Sequence, residues 1–301
     1  MAILAVYPHA KNLQVAVWDG SLFEKTIVPL PSSGDDTAEK HLIPWLTSHN
    51  VTTDDLQCIV TGDNAREAAK LLGTDLSLEV FFIESATSAE CPSIARVTGT
   101  PEIERRCDVD AFMFAFLARL EAASKEVDLA EEQFVVAHLD EEIQIAALRG
   151  TRVLDALTSF DEGPFALRQS GALPFDSVLD LCMRAASKEE VLAMLHNEGG
   201  LAGYLGIKSL DELWTLQGET AERVRETLVY QIAKEIGAMA VTLNGDVRSI
   251  VLAGDMVRHE PFVQSLKERV GFVAPISVYP GNQTLPALVA GAQDILDQQS
   301  A

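Results

Sequence analysis

The chain has 301 residues, and 45 Asp and Glu outnumber 23 Lys and Arg, so its formal net charge at pH 7 is −22. So acidic a surface repels nucleic acid and anionic membranes, and it excludes non-specific binding to either. Hydrophobic residues make up 48% of the sequence, and no apolar run reaches the ~18–20 residues of a membrane span, so a folded globular protein is expected. Residues 1–8 carry no basic segment before an apolar run and predict a first strand, not a signal peptide.

The first half is predicted to contain both strands and helices. Short apolar blocks predict strands, and apolar residues spaced by three and four predict helices. The strands are expected at 3–6, 15–18, 23–28, 56–61 and 78–83, and the helices at 38–49, 64–72 and 101–126. Asp19 and Gly20 predict a tight turn between two of these strands.

The second half repeats this opening pattern. Three strands are predicted at 134–139, 143–148 and 152–155, followed by helices at 175–184, 187–196, 209–215 and 219–243, a strand at 249–253, a helix at 260–270, a strand at 276–279 and a helix at 285–298. Two three-stranded meanders, each followed by helices, indicate a duplicated α/β unit. The predicted domains are residues 1–130, on which helix 285–298 is expected to pack, and residues 131–284, expected to dimerise.

The cysteines and most histidines point to no metal or redox chemistry. The four cysteines, Cys58, Cys91, Cys107 and Cys182, form no C-x-x-C pair and are predicted to be reduced thiols of a cytoplasmic protein. Four histidines show no spacing of a metal site or a catalytic triad and are predicted to be surface or internally bonded residues: His41, His49, His196 and His259.

Several longer motifs carry a family resemblance across nearly the whole chain. They are Gly99-x-Pro101-Glu102-Ile103-Glu104-Arg105, Glu162-Gly163-Pro164-Phe165, Ser170-Gly171-x-Leu173-Pro174, Gly199-Gly200-Leu201-x-x-Tyr204-Leu205-Gly206, the helix Tyr230 to Ala240, and Val278-Tyr279-Pro280-Gly281. Together they resemble the butyrate kinase branch of the acetate kinase family. The resemblance implies the duplicated ribonuclease-H-like fold of actin-like ATPases, with ATP in a cleft between two domains. Two glycine-rich hairpins would cradle the phosphates and a third glycine-rich loop would hold the adenosine.

The two phosphate hairpins depart from the family pattern. The first reads roughly Asn-Pro-Gly-Ser-Thr-Ser-Thr-Lys in the family and Tyr-Pro-His-Ala-Lys-Asn-Leu-Gln here, at 7–14, which leaves His9 and Lys11 as candidate contacts. The second reads His-Leu-Gly-Gly-Gly-Ile-Ser in the family and His-Leu-Asp-Glu-Glu-Ile-Gln here, starting at His138. Three acids replace three glycines, and each like-charge pair with a nucleotide phosphate at 4 Å costs about 1 kcal/mol in water and about 4 kcal/mol at a protein surface.

The other functional positions implied by the resemblance are also changed. The adenosine loop, at 253–257, keeps Gly254 but has Asp255 in place of a second glycine. The arginine that faces the transferring phosphoryl group is Gln169, and the adjacent Arg168 is expected to point the other way. At the remaining positions this chain has Glu84 where the family has an aspartate and Asp110 where it has a histidine. Where the family has metal-associated acids, this chain has Asn282, Gln283, Thr284 and Pro286. A glycine-rich loop and a substrate segment between Asp63 and Phe81 are absent.

These substitutions predict a folded, non-catalytic relative of butyrate kinase, a pseudoenzyme that serves as a regulatory or structural partner. The expected assembly is a homodimer, a heterodimer or a complex with a partner enzyme of acid metabolism. Its interface is expected to use apolar side chains of this chain within 175–245, and the alternative is that they belong to the core: Met183, Leu192, Leu195, Tyr204 and Trp214. No metal site and no resident cofactor are expected. If a residual site persists, its ligand is expected to be ATP or ADP with Mg²⁺, and the candidate contacts are His9, Lys11, His138, Gly254 and Asp255. One alternative is a nucleotide or metabolite sensor, and another is a divergent carboxylate kinase that makes acyl phosphate from ATP.

Overall fold

The computed structural model describes residues 2–9, 12–20, 23–29, 38–62, 65–83 and 91–300. The chain divides into two compact units, one formed by Met1–Ser85 with Gln283–Ala301 and the other by Ala86–Asn282. Each unit contains one five-stranded sheet. Among the described residues, none of the helices combines the length and the hydropathy that a membrane span requires.

The elements follow one another in an α/β order. The described strands are β1 (Ala2–His9), β2 (Asn12–Trp18), β3 (Phe23–Pro29), β4 (Leu56–Gly62), β5 (Glu79–Ile83), β6 (Gln133–Leu139), β7 (Ile143–Arg149), β8 (Arg152–Thr158), β9 (Ser249–Gly254) and β10 (Ile276–Pro280). The described helices are α1 (Ala38–Ser48), α2 (Arg66–Leu76), α3 (Ser93–Arg96), α4 (Ala111–Lys125), α5 (Phe175–Arg184), α6 (Lys188–His196), α7 (Gly200–Leu205), α8 (Leu210–Thr215), α9 (Glu219–Thr242), α10 (Glu260–Val270) and α11 (Thr284–Ser300).

The sheet of the first unit has the order β3-β2-β1-β4-β5. β1 runs antiparallel to β2 and parallel to β4. Alternate side chains of a strand point to opposite faces, and Leu4 and Val6 pack on one face with Leu42 of α1 and Leu72 of α2 in a single apolar cluster. Helix α11 contacts β1, β4 and β5, so the end of the chain returns to this sheet.

The sheet of the second unit has the order β10-β9-β6-β7-β8, which repeats the arrangement of the first. β6 runs antiparallel to β7 and parallel to β9. Six consecutive residues of β6, from Phe134 to Leu139, are buried, as expected for a central strand covered on both faces. Each sheet is therefore a three-stranded meander extended by two parallel strands, and this confirms the predicted duplicated α/β fold of the actin-like ATPases.

One sequence expectation, the start of the helix predicted at 101–126, differs from the structure. The helix predicted to begin at Pro101 begins at Ala111, because the preceding segment pairs Val97 with Glu104 and holds Arg105 on Asp155 at 3.1 Å. Helix α4 contacts β6, β8 and β9, so it belongs with the second sheet. The compact units meet at residues 85–86. The domain boundary expected near residue 130 stays a prediction.

Candidate functional site

The second predicted phosphate hairpin joins β6 to β7. Leu139 pairs with Ile143, so Asp140, Glu141 and Glu142 form the turn. The backbone N–H of Asp140 donates to the carbonyl of Glu142 (3.2 Å), and the N–H of Glu141 donates to Oδ1 of Asp140 (2.8 Å). A phosphate-binding loop directs such N–H groups at the anion. Here two of them are used within the turn itself.

The turn is also fixed by its neighbours. The N–H of Ile143 donates to Oγ of Ser159 (3.2 Å), and the N–H of Leu167 donates to the carbonyl of Glu141 (3.1 Å). Both contacts come from segments that follow the meander in sequence. The conformation of the hairpin is therefore set by protein contacts that require no bound anion.

Two glycines hold the predicted adenosine loop against this hairpin. Gly254 and Gly281 form an antiparallel bridge with N–H···O distances of 3.2 and 2.9 Å. Gly254 has φ +104°, and a Cβ there would overlap the carbonyl oxygen of Leu139. The amide Nδ2 of Asn282 donates to Oδ2 of Asp140 (3.0 Å). The hairpin, the loop and residues 281–282 thus meet at one end of the second sheet.

Asp110, which stands where the resemblance implies a histidine, is buried just before α4. Its backbone N–H donates to Oε1 of Gln144 (3.1 Å), and its Oδ2 accepts from Nε2 of Gln144 (3.2 Å). Gln144 occupies the last position of the hairpin motif, where the family pattern has serine. These two substituted positions therefore bind each other and attach the start of α4 to β7.

His138 is buried beside the acidic turn. Burial lowers the pKa of its imidazole, although the charges of Asp140, Asp110 and Asp255 act in the opposite direction. Its Nε2 lies 4.0 Å from Oδ2 of Asp140 and forms no hydrogen bond with any described residue. The site therefore holds a buried imidazole whose Nε2 has no hydrogen bond with a described residue and lies close to the carboxylate of Asp140.

Glu142 has a strongly perturbed carboxyl group. Its side chain keeps contact with solvent, but the surrounding protein still desolvates the carboxylate. This desolvation, followed by the charges of Asp110, Glu141 and Asp140, raises the pKa of Glu142 to about 7. Negative charges are thus crowded at the position where the family pattern places glycine.

The predicted arginine position carries no positive charge. Gln169 is buried, and its Oε1 has no hydrogen-bond partner among the described residues. Arg168 is exposed, and its guanidinium donates to the carbonyl of Lys208 (3.3 Å). In the adenosine loop, Asp255 accepts from Nε of Arg258 (2.8 Å), which neutralises one of the acids.

The candidate residues of the first unit are only partly described. His9 ends β1 and pairs with Asn12 across the first hairpin, while its side chain, Lys11 and Glu84 lie outside the described residues. Across the parts of the chain that the structure describes, no group of three or more His, Cys, Asp or Glu side chains is arranged to hold a metal ion.

Comparison with known proteins shows the family of the chain. A "Probable butyrate kinase" of Listeria monocytogenes is 30% identical over 295 residues, which cover 95% of this chain and 79% of the relative. A "Probable butyrate kinase 2" of Caldanaerobacter subterraneus is 31% identical over 261 residues, or 83% of this chain and 73% of the relative. The chain belongs to the butyrate kinase family. No model of a protein family matches the chain.

Solved structures support the same fold for this butyrate kinase family member. An acetate kinase of Porphyromonas gingivalis superimposes with a TM-score of 0.78 over 98% of this chain and 99% of that chain, at 11% identity. A propionate kinase of Francisella tularensis gives 0.77 over 95% and 98%, at 13% identity. The relatives are named as kinases, which favours the expectation of a carboxylate kinase. The expected loss of activity stays a prediction.

One feature of this butyrate kinase family member was missed by sequence reasoning. A cavity of about 470 Å³ is formed by residues of α8, α9 and α10 together with His259, and its lining includes Trp214, Arg225 and Phe262. The rings of Trp214 and His259 stack at 4.2 Å with an angle of 11°. Trp214 was predicted to be core or interface, and His259 to be a surface or internally bonded residue; both line this cavity. The one sequence signal was the position of His259, five residues after Gly254.

Proposed function

We propose that this butyrate kinase family protein does not transfer phosphoryl groups and acts by binding another protein. The observation that carries the proposal is the second hairpin, whose turn directs the N–H groups of Asp140 and Glu141 at its own acceptors. Phosphoryl transfer depends almost entirely on gripping the phosphates and on placing positive charge at the transferring group. At this end of the second sheet the hairpin supplies acids instead.

The residues present do not fit the phosphates of a magnesium nucleotide. Bound Mg²⁺ and ATP would supply the transferable phosphoryl group in an active relative. Here the turn offers three carboxylates, and the arginine position is the neutral Gln169. Each carboxylate at 4 Å from a phosphate charge would cost about 4 kcal/mol at a protein surface. We therefore derive no catalytic step through ATP.

Helix α5 supports a protein partner, which we propose to be a second copy or a homologous chain. None of its residues is buried, and its apolar side chains recur at positions i, i+4 and i+8. These are Phe175 (92% exposed), Leu179 (61%) and Met183 (79%). An apolar stripe of this size on a surface helix is typical of an interaction site. Of the other predicted interface residues, Tyr204 is exposed, whereas Leu195 and Trp214 are half-buried.

A divergent carboxylate kinase is the second candidate, and the comparisons favour it. Relatives about 30% identical over 95% and 83% of the chain are named butyrate kinases. In that case the protein would use ATP with Mg²⁺ to convert butyrate or acetate into an acyl phosphate. It would then need phosphate contacts other than the turn at Asp140 to Glu142.

A nucleotide or metabolite sensor is the third candidate. The cavity lined by Trp214 and His259 supports it, because these two rings stack on each other and present aromatic surface to the cavity. Aromatic faces bind planar rings by stacking. Such a sensor would bind the base of a nucleotide without a grip on its phosphates.

We also propose that the protein resides in the cytoplasm. Its four cysteines are all free thiols, and three of them are buried. Disulfides are rare in reducing compartments, so unpaired thiols are the expected state there.

Acyl phosphate formation decides between the first two candidates. The purified full chain is incubated with ATP, Mg²⁺ and either butyrate or acetate, and acyl phosphate is trapped by hydroxylamine as the hydroxamate. The Porphyromonas gingivalis acetate kinase serves as the positive control with acetate. We expect no hydroxamate above the blank without protein. Product that requires both ATP and the carboxylate would establish the carboxylate kinase and overturn the proposal.

Calorimetric titration with ADP and Mg²⁺ tests the sensor. A dissociation constant of 1 mM corresponds to about −4.1 kcal/mol. We expect no binding tighter than this for the natural chain. Replacing the three turn acids by glycine (Asp140→Gly, Glu141→Gly and Glu142→Gly together) is expected to strengthen ADP binding at least tenfold. Tight binding by the natural chain that Trp214→Ala abolishes would favour the sensor.

A further inference from the structure

Three carboxylates occupy the turn between β6 and β7, where the resemblance implies a glycine-rich phosphate hairpin. Carboxylates from three segments lie close to His138. Oδ2 of Asp140 is 4.0 Å from its Nε2, and Asp110 is hydrogen-bonded to Gln144, the residue paired with His138 on β7. Asp255 lies two residues after Ala253, the residue paired with His138 on β9. Arg258 pairs with Asp255 and neutralises one of these charges.

The buried imidazole of His138 is the common neighbour of these carboxylates. His138 is 5% exposed, and its Nε2 finds no hydrogen-bond partner among the described residues. Leaving a buried polar nitrogen unsatisfied costs about 1–3 kcal/mol, and most such atoms in folded proteins are bonded. Nε2 lies 4.0 Å from Oδ2 of Asp140, which is beyond a hydrogen bond but suited to a donor group bridging both atoms.

The donor and acceptor character of these groups selects the ligand chemistry. Ionised carboxylates only accept hydrogen bonds, and Nε2 of a neutral imidazole accepts in the tautomer that carries its proton on Nδ1. Anions are repelled by the acids. Direct metal coordination is not supported, since the described carboxylates and histidines form no group of three with metal-binding geometry. A primary ammonium group remains, because it carries a positive charge and three N–H donors.

We propose that the acidic hairpin around His138 binds an organic cation with primary ammonium groups, of the polyamine class. One ammonium would donate to Nε2 of His138 and to Oδ2 of Asp140, and a second would lie near Glu142. A ligand with more than one ammonium group matches the site better than one with a single group, because Asp140, Asp110 and Asp255 lie on three different segments around His138. The inference concerns the same hairpin as the proposed function but requires nothing of the catalytic activity.

Titration with putrescine, a diammonium alkane, tests the inference on the full chain. At low ionic strength (about 20 mM salt), calorimetry is expected to give a dissociation constant below about 1 mM for the natural protein. Asp140→Asn should weaken it at least tenfold. The matched control is Glu102→Gln, which removes one charge from an exposed position and should leave the affinity unchanged. Equal weakening in both variants would show attraction to the acidic surface only and would overturn the site.

A second measurement covers a failure of the Asp140 variant to fold. The imidazole ¹⁵N resonances of His138 in the natural protein are followed during the same titration, with His138→Gln used to assign them. We expect the Nε2 resonance to move with saturating behaviour. No heat and no movement of that resonance up to 10 mM putrescine would overturn the inference. Hydroxamate formation reports on the proposed function separately, so either proposal can fail alone.

Discussion

Asp110 and Gln144 hold each other through two hydrogen bonds, from the backbone N–H of Asp110 to Oε1 of Gln144 (3.1 Å) and from Nε2 of Gln144 to Oδ2 of Asp110 (3.2 Å). The pair joins the start of α4 to β7 across 34 residues of sequence. Both residues stand at positions where the family pattern has other functional groups. In this chain the two substituted positions make a structural contact with each other.

Gln144→Ala is expected to destabilise the protein. The substitution leaves the buried N–H and carboxylate of Asp110 without these partners, which costs about 1–3 kcal/mol. For a unit of this size that corresponds to a fall in Tm of roughly 2–10 °C, measured by differential scanning calorimetry. Gln217→Ala is the control, because that exposed side chain makes only a long contact of 3.4 Å to Thr215. An equal fall in both variants would contradict the structural role of the pair.

Glu142→Gln is expected to change how stability depends on pH. Because the folded state raises the pKa of Glu142 from 4.5 to about 7, the folded protein binds this proton more tightly than the unfolded chain. Its contribution to stability is therefore complete below about pH 4.5 and is lost as pH rises to about 7. Solvent screens a partly exposed carboxylate, so we expect an effect below about 1 kcal/mol.

Thermal unfolding of Glu142→Gln at pH 4 and pH 8 checks this sign. The variant should match the natural protein at pH 4 and have a higher Tm at pH 8, by at most ~4 °C. As the control, Glu102→Gln changes an exposed position, and its Tm should differ from that of the natural protein by the same amount at pH 4 and at pH 8. A variant that is less stable than the natural protein at pH 8 would mean that Glu142 is favourably paired when ionised.

Gly254→Ala is expected to be strongly destabilising. A non-glycine residue at φ +104° is strained by about 1–3 kcal/mol, and the added Cβ would overlap the carbonyl of Leu139. We expect Tm to fall by at least about 5 °C. Gly237→Ala is the matched control, since it lies within α9 with nothing near its absent Cβ and should gain about 0.5–1 kcal/mol. Similar stability of the two variants would show that the loop does not press on the hairpin.

Leu179→Asp is expected to abolish the proposed dimer. Light scattering coupled to size-exclusion chromatography should give twice 32.6 kDa for the natural chain and 32.6 kDa for the variant. A central apolar contact is worth about 2 kcal/mol or more, so the dimer dissociation constant should rise at least ~30-fold. Ile94→Asp, at an exposed position on α3, should remain dimeric. A monomeric natural chain would exclude a homodimer through α5.

The sheets could be predicted from the sequence because their apolar blocks are local. Strand β6 is a run of buried residues from Phe134 to Leu139, and the same pattern near Ile3 shows the duplication. The start of α4 could not be predicted. Pro101 is a local signal for a helix start, but the ion pair of Arg105 with Asp155 joins residues 50 apart and holds the segment in another conformation.

Some features of the candidate site could likewise be predicted from the sequence, and others could not. The acids at Asp140, Glu141 and Glu142 and the absence of an arginine at Gln169 were visible as residue types. The cavity beside Trp214 was not, because its walls come from α8, α9 and α10. Residues that line one cavity need not be close in sequence, and no local pattern records their distance.

The sequence by itself determined the family, the duplicated fold and the loss of glycines from the phosphate hairpin, since each depends on residue identity and local periodicity. Only the tertiary structure decided where the N–H groups of the turn point, that Asp110 binds Gln144, and that the imidazole of His138 is buried with an unused nitrogen. Hydrogen-bond direction and burial depend on atoms brought together from remote segments, and they arise only when the chain is packed.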